Sequence, residues 1–120
     1  MKLETWYSHS WTEFEVQSLA YSILHKTLYP KFIVRGEYFF PKTEIQRGCK
    51  LDIAIFLPGK YKDPPKLILI IEVKKGQKSK SEKQGKRYSD RLNGIPYLYI
   101  RGKEDAYNVL NLIQPYICKY

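Results

Sequence analysis

Cysteine is scarce in this chain, with two among 120 residues, Cys49 and Cys118. Two cysteines make neither a disulfide framework nor a structural zinc site. Both therefore read as core or incidental thiols, and a reducing, cytoplasmic setting is expected. Long apolar runs are also missing. The longest purely aliphatic run is Leu67 to Ile71, and five residues do not span a bilayer. The opening Met1-Lys2-Leu3-Glu4-Thr5-Trp6 lacks the apolar stretch of a secretion leader. A membrane protein and a classical secreted protein are both poor readings. The chain contains no repeats and no low-complexity linker. At this length it is expected to form one domain, residues 1–120, around one core.

Acids are in short supply as well: 12 Asp and Glu stand against 21 Lys and Arg, for a net charge of +9. Such an excess in a small domain points to a polyanionic partner, most often nucleic acid. The excess is concentrated. Lys74, Lys75, Lys78, Lys80, Lys83, Lys86 and Arg87 face one acid, Glu82, in the stretch from 74 to 87. Two thirds of the net charge thus lies in fourteen residues. Taken alone, a lysine-rich run is as readily a solvated face; what precedes it decides its weight.

Residues 11–28 carry Phe14, Val16, Ala20, Tyr21, Ile23, Leu24 and Leu28 at three- and four-residue intervals, the stripe of an amphipathic helix. Ser10 or Thr12 would cap it, Glu13 and Glu15 suit its first turn, and Tyr29-Pro30 ends it. Three strands are expected next, over 32–40, 49–57 and 66–74. The core of the last, Leu-Ile-Leu-Ile-Ile, has no polar face, as in a strand covered on both sides. A polar helix over 79–92, a fourth strand over 96–101 and a closing helix over 104–113 complete the order. The late strand–helix–strand succession implies a parallel crossover, and the short earlier connections suit a meander. The expected fold class is α/β, a four-stranded mixed sheet flanked by helices.

The chemistry concentrates on two strands. Asp52 interrupts the apolar Leu51-Asp52-Ile53-Ala54-Ile55, and a carboxylate there needs a cation or metal beside it. The next strand ends Ile71-Glu72-Val73-Lys74. Residues two apart in a strand share a face, so Glu72 and Lys74 project together. Nineteen residues lie between Asp52 and Glu72, about a strand, a turn and a strand. If the strands are neighbours, two carboxylates and an ammonium converge. Hard divalent cations take carboxylate oxygens in this way, and a lysine can orient water or stabilise developing charge. Glu-x-Lys alone is a common coincidence; its place after an aliphatic strand and before a basic run distinguishes it here.

With these residues in this order, the stretch from 13 to 101 resembles the PD-(D/E)XK nuclease superfamily. The resemblance implies a restriction-endonuclease-like αβββαβ core and a DNA-hydrolysing endonuclease using Mg2+, with Mn2+ as a substitute. It implies that Asp52 and Glu72 bind the metal with the backbone carbonyl of Val73, and that Lys74 assists the attacking water. Leu51 stands where the family name has proline. Members often add an acid from the first helix. Glu13 and Glu15 are the candidates, and cannot both face the site, being about 200° apart on a helix. The spacing Glu13, Val16, Gln17, Ala20, Leu24 favours Glu13. Gln84 and Tyr88, at i and i+4 on the following helix, match the Gln-x-x-x-Tyr motif of the RecB-like branch. Lys75, Lys78, Lys80, Lys83, Gln84, Lys86, Arg87 and Tyr88 would then hold DNA. Little room remains for a sequence reader, so a homo-oligomer or a companion subunit is expected. The rival reading is an inactive nucleic-acid-binding or subunit-interaction module on the same fold. Tyr97 and Tyr99 are expected on one side of the fourth strand as packing aromatics.

Overall fold

The first long element is a helix because its start is capped and one line of its residues is small and apolar. A computed structural model describes residues 11–40, 49–74 and 94–120. In it, helix α1 spans Glu13–Leu28, and Thr12 is its cap. The Thr12 hydroxyl accepts from Glu15 N at 3.1 Å, while Glu15 Oε1 accepts from Thr12 N at 3.1 Å, a reciprocal capping box. Val16, Ala20 and Leu24 form its buried line. Phe14, expected in that stripe, is 70% exposed. It lies six residues from Ala20, about 120° around the helix, and so points away from the sheet.

Strands β1 (Ile33–Phe40), β2 (Cys49–Leu57), β3 (Lys66–Val73) and β4 (Tyr97–Ile100) form one sheet in the order β1-β2-β3-β4. The pairings are antiparallel, antiparallel and parallel. The meander and the parallel return are as expected. The polar helix expected over 79–92 lies outside the described residues. The closing helix is corrected: it is two helices, α2 (Lys103–Tyr107) and α3 (Val109–Ile117), meeting at Asn108. α3 also runs through Pro115, past the expected end at Ile113. Proline there forfeits a backbone hydrogen bond. Val109, Ile113 and Ile117, one turn apart, are all buried on the core, and that burial carries the helix onward.

The core has two sides. On one, Val16, Ala20 and Leu24 meet Val34, Ile53, Ile55, Leu69, Ile71, Val73, Ile100 and the buried residues of α2 and α3. On the other, Leu51, Ala54, Phe56, Leu67 and Ile70 cluster, with Ile33, Tyr38, Ile95 and Tyr97 packed against them. All described helices lie on the first side. β3 is buried from Leu67 to Val73, as its two-sided apolar pattern requires. Among the described residues, no helix is long and apolar enough to cross a membrane.

Truncating the centre of β3 removes contacts from both neighbours, so Leu69→Ala is expected to cost about 2–5 kcal/mol in urea unfolding. Phe14→Ser, on the solvent side of α1, is expected to shift stability by less than about 0.5 kcal/mol in the same measurement.

Candidate active site

The site lies where β2 and β3 stop pairing. Their last rung is Ile53 with Ile71, so the next positions, Asp52 and Glu72, face one another across the gap. Leu69, Ile71 and Val73 turn their backbone groups toward β2, because Ile70 N and Lys74 N donate to Pro96 O and Ile100 O on the β4 side, each at 3.0 Å. Val73 therefore has no β2 carbonyl to receive its N–H. The Asp52 carboxylate replaces it: Val73 N donates to Asp52 Oδ2 at 2.8 Å. The Val73 carbonyl, on the same edge of the strand, looks into the same gap.

A second irregularity releases Asp52 from β1. The β1–β2 ladder runs from Ile33 with Phe56 to Gly36 with Ile53, then resumes at Tyr38 with Leu51. The missing rung is Glu37 with Asp52, where Glu37 adopts φ 49°, a left-handed conformation that breaks the ladder. Side-chain alternation slips there as well. Ile53 packs on the helix side, yet Leu51, two residues away, packs on the other. The freed Asp52 carbonyl accepts from Gln17 Nε2 of α1 at 3.2 Å. One turn further along α1, Tyr21 lies against Gly36; a Cβ added there would sit 3.3 Å from its ring. Gly36 thus lets α1 approach close enough for Gln17 to reach β2.

Glu72 is the one buried charged residue among the described residues, at 2% exposure. Burial, then the neighbouring Asp52 carboxyl, pushes its pKa up to about 9; the Lys74 ammonium pulls the other way, more weakly. Its Oε1 is buried with no hydrogen-bond partner among the described residues. Lys74, half-buried, follows on the same face as Glu72. Asp52, Glu72 and Lys74 are thus brought together as the sequence implied. The donor set of two carboxylates and a backbone carbonyl suits a hard divalent cation with positions left for water, and the orphaned Glu72 oxygen is one such donor.

The helical acid is partly decided. Glu15 is committed to the cap of α1. Glu13 lies one turn before Gln17, on the face of α1 that reaches Asp52. Among the described residues no three His, Cys, Asp or Glu side chains form a metal-holding group, so Glu13 is not gathered with Asp52 and Glu72. The DNA-binding candidates Lys75, Lys78, Lys80, Lys83, Gln84, Lys86, Arg87 and Tyr88 lie outside the described residues.

Two participants escaped sequence reasoning. Gln17 was named only as part of the helical spacing, with no role of its own; its position four after Glu13 was the available signal. Tyr99 was read as packing. It does pack edge-on to Tyr97, with centroids 5.4 Å apart, but it is also the parallel-register partner of Glu72, with its hydroxyl buried.

The chain matches no known family profile, no curated protein and no solved structure.

A raised carboxyl pKa carries a definite pH dependence. Below pH 4.5 Glu72 is neutral in both folded and unfolded chains; above it the unfolded chain releases a proton that the folded chain keeps up to about 9. Stability is therefore expected to fall as pH rises through this window. Thermal melts of Glu72→Gln should lack that slope and exceed the wild type by several degrees at pH 8. Mg2+ should raise the melting temperature of the wild type alone. Gln17→Ala, which removes the bond to the Asp52 carbonyl, should cost about 1 kcal/mol in urea unfolding.

Proposed function

We propose that this chain is a divalent-cation-dependent deoxyribonuclease with a PD-(D/E)XK-like, restriction-endonuclease-like core. The supporting observation is the junction at the β2–β3 fork: the Asp52 carboxylate bound to the Val73 amide, beside a buried Glu72 whose Oε1 lacks a partner among the described residues, with Lys74 following on the same face. A buried carboxyl beside a second, half-buried one is a costly arrangement for a fold to hold. It is expected where a cation is to be bound.

Asp52, Glu72 and the Val73 carbonyl would hold Mg2+, or Mn2+ in its place. When bound, the cation neutralises charge on the phosphodiester oxygens. The residues of the chain do the remaining work. Asp52 keeps the fork open, because its side chain takes the place of a backbone partner. Lys74 donates hydrogen bonds to the attacking water or to a non-bridging oxygen, opposing the negative charge that accumulates as the phosphorus–oxygen bond forms. Glu13, the helical acid the resemblance implies, would accept a hydrogen bond from a water at the mouth of the site. The basic stretch from Lys75 to Arg87, with Gln84 and Tyr88, would hold the DNA backbone. A domain this small is proposed to cut as a homo-oligomer or beside a companion subunit, since a two-fold pair presents two such sites to the two strands.

Purified chain is expected to nick supercoiled plasmid in Mg2+ or Mn2+ and not in chelator. Lys74→Ala and Asp52→Asn should each lower the rate by at least about 100-fold. Their DNA affinity in chelator should stay within a few-fold of the wild type, and that affinity should fall steeply with salt. Tight DNA binding by wild type and variants alike, with no cleavage by any of them, would establish the inactive binding module instead.

A further inference from the structure

On the face of the sheet opposite the described helices lies a groove of about 220 Å3, lined by Ile33, Arg35, Tyr38, Phe56, Pro64 and Pro65. Its walls are mostly apolar. Tyr38 packs edge-on to Phe56, with centroids 5.0 Å apart, and the two lining prolines are exposed. Its polar group is the exposed Arg35 guanidinium, which has no ion-pair or hydrogen-bond partner among the described residues. The loop leading through the prolines adds exposed Lys60, Lys62 and Lys66 against a single acid, Asp63. The volume is below the roughly 300–1,000 Å3 of pockets that enclose whole small molecules. It suits one planar ring system with an anion at its rim.

Register places this groove beside the carboxylates. Arg35 pairs with Ala54 and Tyr38 with Leu51, so the two bracket Asp52 along β2. Glu72 shares the face of Ile70, which belongs to the same cluster as Phe56. From β1 to β3 is two strand spacings, roughly 10 Å. A strand of DNA crossing the β2–β3 fork therefore meets the groove within a nucleotide or two.

We infer that the groove takes one unstacked nucleobase of the substrate strand against Tyr38, with Arg35 on an adjoining phosphate, so that the substrate is DNA with a single-stranded stretch. This rests on the nuclease reading for its orientation, but not for its binding chemistry. A base inside an intact duplex is stacked on both faces and cannot enter. A base in a single strand can, and aromatic surfaces bind it with little regard to sequence.

The test is equilibrium binding in chelator, by fluorescence anisotropy, of the full chain to labelled oligothymidine, to a blunt duplex of equal length, and to a single strand of abasic sites. Wild type is expected to bind oligothymidine about 10-fold more tightly than the abasic strand, and more tightly than the duplex. Arg35→Ala and Tyr38→Leu should each lose about 10-fold on oligothymidine. Tyr38→Leu, which keeps apolar bulk, should bind the abasic strand as the wild type does; Tyr38→Phe should restore base-dependent binding. Equal affinity of wild type for oligothymidine and the abasic strand, or a folded Tyr38→Leu with undiminished affinity for oligothymidine, overturns the inference. Base-dependent binding without cleavage by any protein would sink the nuclease reading and leave the groove assignment standing.

Discussion

A carboxyl buried on the central strand sets the terms for the rest of this molecule. Glu72 sits in β3, the strand whose side chains are buried from Leu67 to Val73, and there the ionised form loses its water. The strand tolerates it because the strain is shared out. Asp52 comes forward from β2 to take the Val73 amide, Lys74 offsets part of the charge, and the proton is held well beyond the usual carboxylate range. An apolar residue at 72 would be the simpler choice for stability. The sheet instead ends its pairing at this point and leaves an oxygen with no partner among the described residues, and both features suit the binding of a cation.

The fork depends on distortions some distance from it. Glu37 breaks the β1–β2 ladder one rung beyond Gly36. Gly36 admits Tyr21, and the same helix face brings Gln17 to the Asp52 carbonyl. A helix, an edge strand and a central strand thus cooperate to turn one aspartate out of regular β-structure. Strand alternation puts Glu72 on the side of the sheet that carries the groove around Arg35, opposite the described helices. The groove and the candidate site therefore share a face.

Much of this was legible in the chain. The alternation and length of the apolar runs announced four strands, and the two-sided run from Leu67 to Ile71 marked the central one. Asp52 and Glu72 stood out because carboxylates are rare in such strands, and adjacency followed from the short connection between them. Other features were not legible. Phe14 matched the helical interval but lies outside the buried arc, since spacing alone does not say where the stripe is centred. The break at Asn108 and the passage of α3 through Pro115 go against local signals; burial of Val109, Ile113 and Ile117 on the core outweighs them. Nothing in the sequence marked Glu37 as left-handed, because that conformation is imposed by its neighbours in the sheet.

By itself the sequence determined which side chains could be charged, which runs must be buried, and that two apolar strands carrying acids follow one another closely enough to pair. These follow from covalent chemistry and from a period of two or 3.6, which act over a few residues. Only the tertiary structure decided that Asp52 would bond to a backbone amide and not pair with β1, that Glu72 would lose its solvent, and that Arg35, Tyr38 and the two prolines would enclose one groove. Each of these depends on packing between segments far apart in the chain, where burial and register override what any local stretch prefers.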